Sequence, residues 1–309
     1  MAHQRRAYHH HSITPAAELL VMDFDGTLTG SDTIAVLADL AINQAQSRTD
    51  RQANWELIVQ AYVADYSQFQ ARWDVTAPTT NPPSRRTMVD LQRYFVELDH
   101  VESRSIERIN QLRFFRGLTQ RTLLEYGHRS VPMQPQCLTA IRNWLQPTTG
   151  TGIVGVNWSC DFILGSLLPI YHLDPDPIGP PPLIDQSLEG GEATLISSPT
   201  GGERLNISTI YVGDSINDLP CLLEADIGIL IGHNATVTQW CADLGIVIHD
   251  GLPQRVQVVP HTQRARRTRS RERHSTLRHQ NCGLPDSSAG WSPIYRITHW
   301  EQFAAWYTH

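Results

Sequence analysis

The feature that most constrains the fold is an apolar run that ends in two closely spaced carboxylates. Residues 19–22 read Leu-Leu-Val-Met, and Asp-Phe-Asp-Gly-Thr follows directly at residues 23–27. An apolar run without polar alternation is typical of a buried strand in a parallel sheet. In open α/β sheets, ligands bind in the crevice beyond the carboxyl ends of the strands. The alternative interpretation is a solvated turn, because Asp and Gly are common turn formers.

Asp23 and Asp25 have no basic residue nearby in the sequence, and in a dry site they would repel each other. A hard cation such as Mg²⁺, which prefers oxygen ligands, would make the arrangement tolerable. A second segment has the same pattern, a predicted strand that is followed by carboxylates. Residues 206–212 are β-rich, and Asp214 and Asp218 follow them at the mouth of the next predicted helix. Two strands that end in paired carboxylates predict an oxygen-rich cluster at one edge of a sheet.

These two segments resemble the haloacid dehalogenase superfamily. Residues 23–27 match the first motif of the superfamily, and residues 213–218, Gly-Asp-Ser-Ile-Asn-Asp, match the fourth. The resemblance covers residues 18–250. It implies an α/β fold, with a three-layer, Rossmann-like parallel-sheet core and an inserted α-helical cap domain.

The resemblance also implies a phosphoryl-transfer site that uses Mg²⁺. Asp23 would be the nucleophile that forms an aspartyl-phosphate, and Asp25 would act as general acid and then as base. Asp214 would hold Mg²⁺ together with Asp23, and Asp218 would support or join them. All four aspartates are therefore candidate metal ligands. An aspartate at the position of Asp25 is typical of phosphatases and phosphomutases in the superfamily, whereas dehalogenases lack it.

Ser159 is the candidate for the second motif, a Ser or Thr that hydrogen-bonds the transferring phosphoryl group. It follows a β-rich run at residues 152–156, and the backbone N–H groups of Trp158 and Cys160 are candidate additional donors. The alternative is that Ser159 caps a helix, a position where Ser is favoured. Both roles are compatible, because a helix N-terminus is an anion site.

The third motif, a cation that neutralises the phosphate and the carboxylates, has no clear counterpart. The sequence contains no lysine, and all 25 of its Lys and Arg residues are arginines. The segment around Gly202 is too short for the helix that carries this cation in the superfamily. Arg204 precedes a predicted strand of about seven residues, which places it roughly 20 Å from the catalytic end. Arg255 and Arg129 are further candidates, and an incomplete site is the remaining alternative.

Apolar residues recur at helical spacing between the first two motifs, which predicts helices in residues 31–129. The resemblance implies that this helical insertion is a mobile cap. Closure of such a cap would exclude water from the site, and a rigid subdomain without a role in substrate binding is the alternative. Residues 294–297 and 300–307 predict a last edge strand and a helix. The predicted core comprises residues 18–30, 130–260 and 291–309, after a flexible N-terminus at residues 1–17.

The formal net charge of −6 hides an asymmetry. Residues 261–282 carry seven arginines and one acid, Glu272, so this segment contributes +6 and the rest of the chain −12. Residues 261–290 lack apolar periodicity and are predicted to form a disordered insert. A nuclear-localisation or nucleic-acid patch is the alternative. The absence of interleaved aromatic residues disfavours nucleic acid as a partner.

The composition of the chain indicates the cellular compartment in which the protein is expected. No apolar run approaches the roughly 20 residues of a transmembrane helix, and residues 1–12 lack the apolar stretch of a secretory signal. The five cysteines are odd in number and form no Cys-x-x-Cys pair, which favours free thiols in a reducing compartment. We therefore expect a cytoplasmic protein without a membrane partner, with a nuclear location as the alternative.

A longer match narrows the resemblance to one branch. Residues 155–159 and 213–229 are similar to the phosphatase domain of plant thiamin-salvage proteins and to related fungal proteins, which implies thiamin monophosphate as a candidate substrate. The prediction is a Mg²⁺-dependent phosphomonoesterase acting on a small soluble phosphate ester. The alternative, favoured by the missing cation, is a catalytically impaired protein that binds metal or a phosphorylated ligand as a regulatory module. A phosphomutase is a third option.

Overall fold

The computed structural model describes residues 18–75, 86–145, 149–155, 159–171, 184–185, 193–196, 208–253 and 293–308. Several sequence predictions concern residues outside these ranges: Trp158, Gly202, Arg204, Arg255, the N-terminal segment at residues 1–17 and the whole Arg-rich segment at residues 261–290.

A mixed eight-stranded sheet lies at the centre of the fold. Its strands are β1 (Glu18–Asp23), β2 (Thr149–Gly155), β3 (Ile184–Asp185), β4 (Ala193–Ile196), β5 (Ser208–Gly213), β6 (Ile227–Ile231), β7 (Ile248–Asp250) and β8 (Ile294–Ile297). The strand order is β3-β4-β2-β1-β5-β6-β8-β7. The strands from β2 to β7 in this order pair in parallel, and β3 and β4 are antiparallel additions at one edge. The predicted α/β class is confirmed, and the parallel part is consistent with a Rossmann-like core.

The helices of the described residues are α1 (Ile34–Asn43), α2 (Arg48–Val75), α3 (Met88–Leu112), α4 (Gln120–Ser130), α5 (Cys137–Trp144), α6 (Cys160–Tyr171), α7 (Leu219–Glu224), α8 (Ala235–Leu244) and α9 (Trp300–Thr308), with a 3₁₀ turn at Ile216–Asp218. Local signals explain several of the boundaries. Thr87 and Asp90 form a capping box at the start of α3, and Asn234 caps α8. None of these helices combines the length and the apolar character that crossing a membrane requires.

The position of β8 differs from the sequence prediction. The C-terminal strand is predicted at an edge, but β8 lies between β6 and β7 and pairs in parallel with both. Its residues Ile294 and Ile297 are fully buried, which is the physical reason why an interior position is favoured. The edge prediction is therefore wrong, because a four-residue strand carries too short a pattern to reveal its neighbours.

The sheet buries apolar side chains on both faces. On one face, Leu20 and Met22 of β1 share a buried cluster with Trp144 of α5, Ile163 of α6 and Phe303 of α9. On the other face, α7 and α8 cover the sheet, and residues of α2 and α3 belong to the same cluster. Because helices cover both faces of the sheet, a ligand is expected to bind at the strand ends.

The helices α2 and α3 pack onto the core through Trp240 of α8. The ring centroids of Trp73 and Tyr94 lie 6.1 and 5.6 Å from that of Trp240. Arg86 lies over the Trp240 ring, 4.6 Å from its centroid, and forms an ion pair with Asp243 at 3.6 Å. These contacts join the helical segment that follows the first motif to α8, which covers one face of the sheet.

Candidate active site

Three aspartates converge at the carboxyl edge of the parallel sheet. The strands β1 and β5 are adjacent, with Met22 in register with Val212, so the residues that follow them emerge side by side. Asp23 ends β1, Asp214 follows β5, and Asp218 ends the 3₁₀ turn that comes next. One carboxylate oxygen from each of the three lies within 4.8 Å of the others. The structure thus brings together three of the four aspartates named from the sequence.

Asp218 is the most strongly held of the three. Its side chain is buried, and Oδ1 accepts a hydrogen bond from the Tyr211 hydroxyl at 2.7 Å. Oδ2 accepts hydrogen bonds from the backbone N–H groups of Asp214 and Ser215 at 3.1 and 2.9 Å, and from the Ser215 hydroxyl at 2.8 Å. A carboxylate with so many donors shapes the turn around it. Asp218 therefore holds the backbone at Asp214, and it is also placed as a candidate metal ligand.

The residues after the first strand hold Asp214 from the other side. The Thr27 hydroxyl donates to Oδ1 of Asp214 at 3.1 Å, and Asn234 Nδ2 donates to the Asp214 carbonyl oxygen at 3.1 Å. Gly26 has a φ of +80° and packs directly against the Asp214 carboxylate. The loop after β1 and the loop after β6 together fix both the backbone and the side chain of Asp214.

Two anchors outside the cluster hold the loop that contains Gly26 and Thr27. Gln134 Nε2 donates to the Gly26 carbonyl oxygen at 2.7 Å, and Trp300 Nε1 donates to the Thr27 carbonyl oxygen at 2.9 Å. Trp300 is fully buried in the core, so its indole is a rigid donor. The loop is therefore positioned by residues that are distant from it in the sequence.

Asp25 lies in the same loop but is not part of the three-residue oxygen group. Its Oδ1 accepts a hydrogen bond from the backbone N–H of Thr33 at 2.8 Å. The neighbouring Asp32 accepts from the Ile34 N–H at 2.8 Å, which begins α1. The Asp25 carboxyl group is therefore oriented by the turn that leads into the helical segment, separately from the other three aspartates.

Burial and mutual repulsion disfavour the ionised forms of the clustered carboxyl groups. Burial, followed by the charge of Asp218, raises the pKa of Asp23 to about 9. The same two causes raise the pKa of Asp214 to about 6. Burial also raises the pKa of Asp218, although hydrogen bonds from Tyr211 and Ser215 oppose this effect. The charges that act most strongly on Asp23 are all carboxylates, so a cation bound among them would favour the ionised forms.

Ser159 takes the helix-capping position that the sequence offers as one of its two roles. It directly precedes α6, and its hydroxyl oxygen accepts a hydrogen bond from the Phe162 N–H at 3.2 Å. Since β2 runs parallel to β1, the start of α6 follows a strand that ends at the same edge of the sheet as Asp23. Cys160 is a partly exposed free thiol whose pKa is raised, chiefly by burial. Trp158 lies outside the described residues.

The structure provides little for the third-motif cation. Of the arginines named from the sequence, Arg204 and Arg255 lie outside the described residues. Arg129 is exposed on α4 and forms an ion pair with Glu125 at 3.0 Å. The ion pair with Glu125 on the helix surface explains the position of the Arg129 side chain, and no contact with the aspartates is needed to explain it.

Arg296 is a cation near the carboxyl end of β8 that the sequence analysis does not name. Its Nη1 lies 3.1 Å from Nδ1 of His233, and its Nε lies 3.5 Å from Oδ1 of Asp250. Two strands, β5 and β6, separate β8 from β1, which corresponds to roughly 14 Å at the usual strand spacing. Arg296 therefore neutralises its own neighbours at the sheet edge and does not replace the third-motif cation.

Sequence reasoning missed the residues that position Asp214. Thr27 lies inside the first motif, and its hydroxyl could have been suspected from that place alone. Asn234 could have been found from its position after β6 and directly before an apolar helix, which is typical of an N-cap. Trp300 offered no local signal, because its bond to the Thr27 carbonyl joins residues 273 positions apart.

Comparison with known proteins finds distant similarity. Over 262 residues, which make up 74% of this chain and 42% of the relative, the chain is 21% identical to the bifunctional TH2 protein, mitochondrial, of Arabidopsis thaliana. Over 57 residues, which make up 18% of this chain and 8% of the relative, it is 39% identical to the cadmium, zinc and cobalt-transporting ATPase of Helicobacter pylori. The chain thus spans less than half the length of either relative. No family model matches the chain, and no solved structure matches it.

Proposed function

We propose that this protein is a Mg²⁺-dependent phosphomonoesterase of the haloacid dehalogenase type that acts on a small soluble phosphate ester. The observation that carries the proposal is the meeting of Asp23, Asp214 and Asp218 where two adjacent parallel strands end, with Asp25 two residues after Asp23. The distant similarity to the bifunctional TH2 protein of Arabidopsis thaliana supports it. The resemblance of residues 213–229 to plant thiamin-salvage phosphatases makes thiamin monophosphate the first substrate to test.

The donor set of the cluster fits Mg²⁺. The three side chains offer only carboxylate oxygens, which this hard cation prefers. Burial is the main cause of their raised pKa values, and the neighbouring carboxylates add to it for Asp23 and Asp214. Asp23 and Asp214 would hold the ion, with Asp218 beside them. When bound, Mg²⁺ would supply positive charge to the oxygens of the transferring phosphoryl group.

In the first half of the proposed reaction, a carboxylate oxygen of Asp23 attacks the phosphorus of the ester. The new bond from Asp23 to phosphorus forms as the bond from phosphorus to the alcohol oxygen breaks. Asp25 donates its proton to the departing oxygen. The Thr33 N–H, at 2.8 Å from Oδ1 of Asp25, fixes the orientation of the carboxyl group for this transfer.

In the second half, water attacks the phosphorus of the aspartyl-phosphate. Asp25, now ionised, accepts a proton from this water, and inorganic phosphate leaves as Asp23 is regenerated. We propose the Ser159 hydroxyl and the backbone N–H groups of Trp158 and Cys160 as donors to the phosphoryl oxygens. The place of Ser159 at the start of α6 suits this role, because a helix N-terminus attracts anions.

The helical segment that follows the first motif is, in this proposal, the cap. Its helices α2 and α3 contact α8 through Trp240, and α8 begins with Asn234, which bonds the backbone of Asp214. A substrate that draws α2 and α3 toward the sheet edge would exclude water from the phosphoryl group.

One observation favours the alternative function, a catalytically impaired protein that binds metal or a phosphorylated ligand as a regulatory module. With a pKa of about 9, Asp23 carries a proton at neutral pH unless a cation binds beside it, and a protonated carboxyl group is a poor nucleophile. The charges that act most strongly on Asp23 include no arginine. The two functions therefore differ in whether bound Mg²⁺ alone is enough to keep the Asp23 carboxyl group ionised and hence nucleophilic.

Release of phosphate from p-nitrophenyl phosphate, with and without Mg²⁺, tests the proposal. The same assay is run on a panel of vitamin and sugar phosphates that includes thiamin monophosphate. We expect Mg²⁺-dependent release. If calorimetry shows that Mg²⁺ and a phosphate analogue bind while no ester is hydrolysed, the regulatory module is the correct function. Transfer of phosphate to a sugar instead of water would identify a phosphomutase.

A further inference from the structure

Arg296 occupies a position in the sheet where an apolar residue is expected. It lies in β8, between β6 and β7, one residue before the buried Ile297. Interior strands of parallel sheets are covered on both faces and are mostly apolar. Only 17% of the Arg296 side chain is exposed, and its Nε atom is buried without a hydrogen bond in the part of the chain that the structure describes. A mostly buried charge is costly unless it is well paired, so packing alone does not explain this arginine.

The ion pair with Asp250 compensates little of this cost. Oδ1 of Asp250 lies 3.5 Å from Arg296 Nε, and 85% of the Asp250 side chain is exposed. Pairs with a solvated carboxylate contribute little to stability. The closer contact of the guanidinium group is with His233, whose Nδ1 atom lies 3.1 Å from Nη1. Because arginine can only donate hydrogen bonds, the His233 ring accepts this one through Nδ1.

This bond holds the loop between β6 and α8, which consists of residues 232–234. The Gly232 N–H donates to the Ile297 carbonyl oxygen of β8 at 2.8 Å, and the His233 ring is held by Arg296 of the same strand. The third residue, Asn234, donates through Nδ2 to the Asp214 carbonyl oxygen at 3.1 Å. Two residues of the loop are therefore bonded to β8, and the next one reaches the aspartate cluster.

The same contacts form a continuous polar relay along the carboxyl edge of the sheet. It passes from Arg296 on β8 through the loop after β6 to Asp214 after β5, and from there to Thr27 after β1. These four strands are neighbours in the order β1-β5-β6-β8, so each step joins the ends of adjacent strands. The position of Asp214 therefore depends on an arginine that lies two strands away from β5.

We propose that Arg296 and His233 are positioning residues of the aspartate cluster. Arg296 holds the His233 ring, and the loop that is fixed in this way presents Asn234 to the backbone of Asp214. This inference rests on the proposed function, because Asp214 is the proposed Mg²⁺ ligand. In this role neither residue touches the metal or the substrate. A change in either one should weaken Mg²⁺ binding and leave kcat at saturating Mg²⁺ at the wild-type value.

Substitutions at His233 test the relay without disturbing the core, because His233 is exposed. His233→Leu removes the acceptor of the Arg296 bond. We expect calorimetry to show Mg²⁺ binding weakened by about threefold or more, since changes to residues behind a metal ligand typically cost roughly tenfold or more in affinity. In His233→Asn, a side-chain oxygen takes the place of Nδ1, and most of the affinity should return.

The matched control is His249→Leu, the same change at an exposed position of the neighbouring strand β7. Its Mg²⁺ affinity should equal that of the wild type. An affinity in His233→Asn as low as that in His233→Leu, or an equal fall in His249→Leu, would overturn the inference.

Arg296→Met separates positioning from charge. Arginine is positive, so its loss would strengthen Mg²⁺ binding if the charge acted only through space. Positioning predicts the opposite, a weakening as large as that in His233→Leu. Stronger Mg²⁺ binding in Arg296→Met would overturn the inference. If Arg296→Met does not fold, the His233 variants decide.

A double variant shows whether His233 acts through Asn234. In the background of Asn234→Ala, His233→Leu should weaken Mg²⁺ binding no further, because residues that act through one another are not additive in their effects. Full additivity of the two changes would show that His233 does not act through Asn234, and the relay would be wrong.

Hydrogen exchange of the metal-free protein distinguishes failure of this inference from failure of the proposed function. The backbone N–H groups of Asp214 and Ser215 donate to Asp218, and we expect His233→Leu to speed their exchange. If it does, but the wild type neither binds Mg²⁺ nor hydrolyses an ester, the proposed function is wrong and the positioning of Asp214 stands. If the wild type binds Mg²⁺ and hydrolyses esters, but His233→Leu changes neither the exchange nor the affinity, the inference is wrong and the function stands.

Discussion

A Cβ atom on Gly26 would lie 2.6 Å from Oδ2 of Asp214, closer than Cβ atoms approach other heavy atoms in folded proteins. Gly26 also has a φ of +80°, in the left-handed region that favours glycine. The first and fourth motifs, which are far apart in the sequence, therefore meet in a contact that only hydrogen atoms can fill. This contact sets how close the loop after β1 comes to the clustered carboxylates.

Gly26→Ala should impair Mg²⁺ binding because the new methyl group displaces the Asp214 carboxylate. We expect the Mg²⁺ concentration for half-maximal activity to rise by about tenfold or more, equivalent to about 1.4 kcal/mol, with a loss of stability of roughly 1–2 kcal/mol from the backbone strain. The matched control is Gly30→Ala in the same loop, where the nearest atom would be 3.7 Å away. Equal Mg²⁺ titrations for the two variants would contradict the proposed role of this contact.

Asp23→Asn should abolish turnover while the protein stays folded and monodisperse, because an amide oxygen cannot form the aspartyl-phosphate. Beryllium trifluoride, a mimic of the acyl-phosphate, should bind the wild type in Mg²⁺ and fail to bind the variant. Asp39→Asn, the same change at an exposed position of α1, should keep full activity. Wild-type turnover in Asp23→Asn would disprove the mechanism.

Asp214→Ala and Asp218→Ala should fail in different ways. We expect Asp214→Ala to raise the Mg²⁺ requirement more, since Asp214 is the proposed direct ligand. Asp218→Ala leaves Tyr211 and the Ser215 N–H without their buried acceptor, at about 1–3 kcal/mol for an unsatisfied buried group. Thermal unfolding in saturating Mg²⁺ should therefore show the larger loss of Tm for Asp218→Ala. If Asp218→Ala instead raised the Mg²⁺ requirement more and Asp214→Ala lowered Tm more, Asp218 would be the direct ligand and Asp214 the structural residue.

The metal-free protein should lose stability as the pH rises. The folded-state pKa of Asp23 is about 9 and that of Asp214 about 6, both above the ordinary value of 3.8. Their contribution is fully present below the unfolded pKa and is lost as the pH rises toward the folded values. Between pH 4 and pH 9, the free energy of unfolding in a chelator should fall by more than about 1.4 kcal/mol, the equivalent of one pKa unit. In Asp23→Asn this fall should be smaller. A profile that is identical in both proteins would refute the assignment.

The sequence predicted the parts of the structure that depend on local pattern. The apolar runs before Asp23 and Asp214 indicated strands of a parallel sheet that end at one edge, and the structure shows that these strands are parallel and also adjacent. The interior place of β8 was missed, because strand neighbours depend on contacts between distant segments. The stacking of Trp73 and Tyr94 on Trp240 was missed for the same reason. A pattern of apolar residues shows that a side chain is buried, but it does not show which other side chains it packs against.

The same distinction between local patterns and contacts of distant segments applies to the site residues. Three of the aspartates could be named because each follows directly from a strand or turn signal, and the structure places their oxygens together. Asn234 acts through a backbone carbonyl, and Trp300 holds the Thr27 carbonyl from 273 residues away. No short motif records such pairs. The catalytic roles of Asp23, Asp25 and Ser159 and the binding of metal by the aspartates stay predictions.

The bond from Trp300 to the Thr27 carbonyl has a consequence for synthesis of the protein. The ribosome makes Asp23 and its loop early, but the indole that holds this loop arrives 273 residues later. β8, which inserts between two strands already made, is also late. A nascent chain that has not yet emerged beyond Trp300 therefore lacks the anchor of its first motif. Ribosome-bound chains should become competent for phosphate-analogue binding only after Trp300 has emerged from the ribosome.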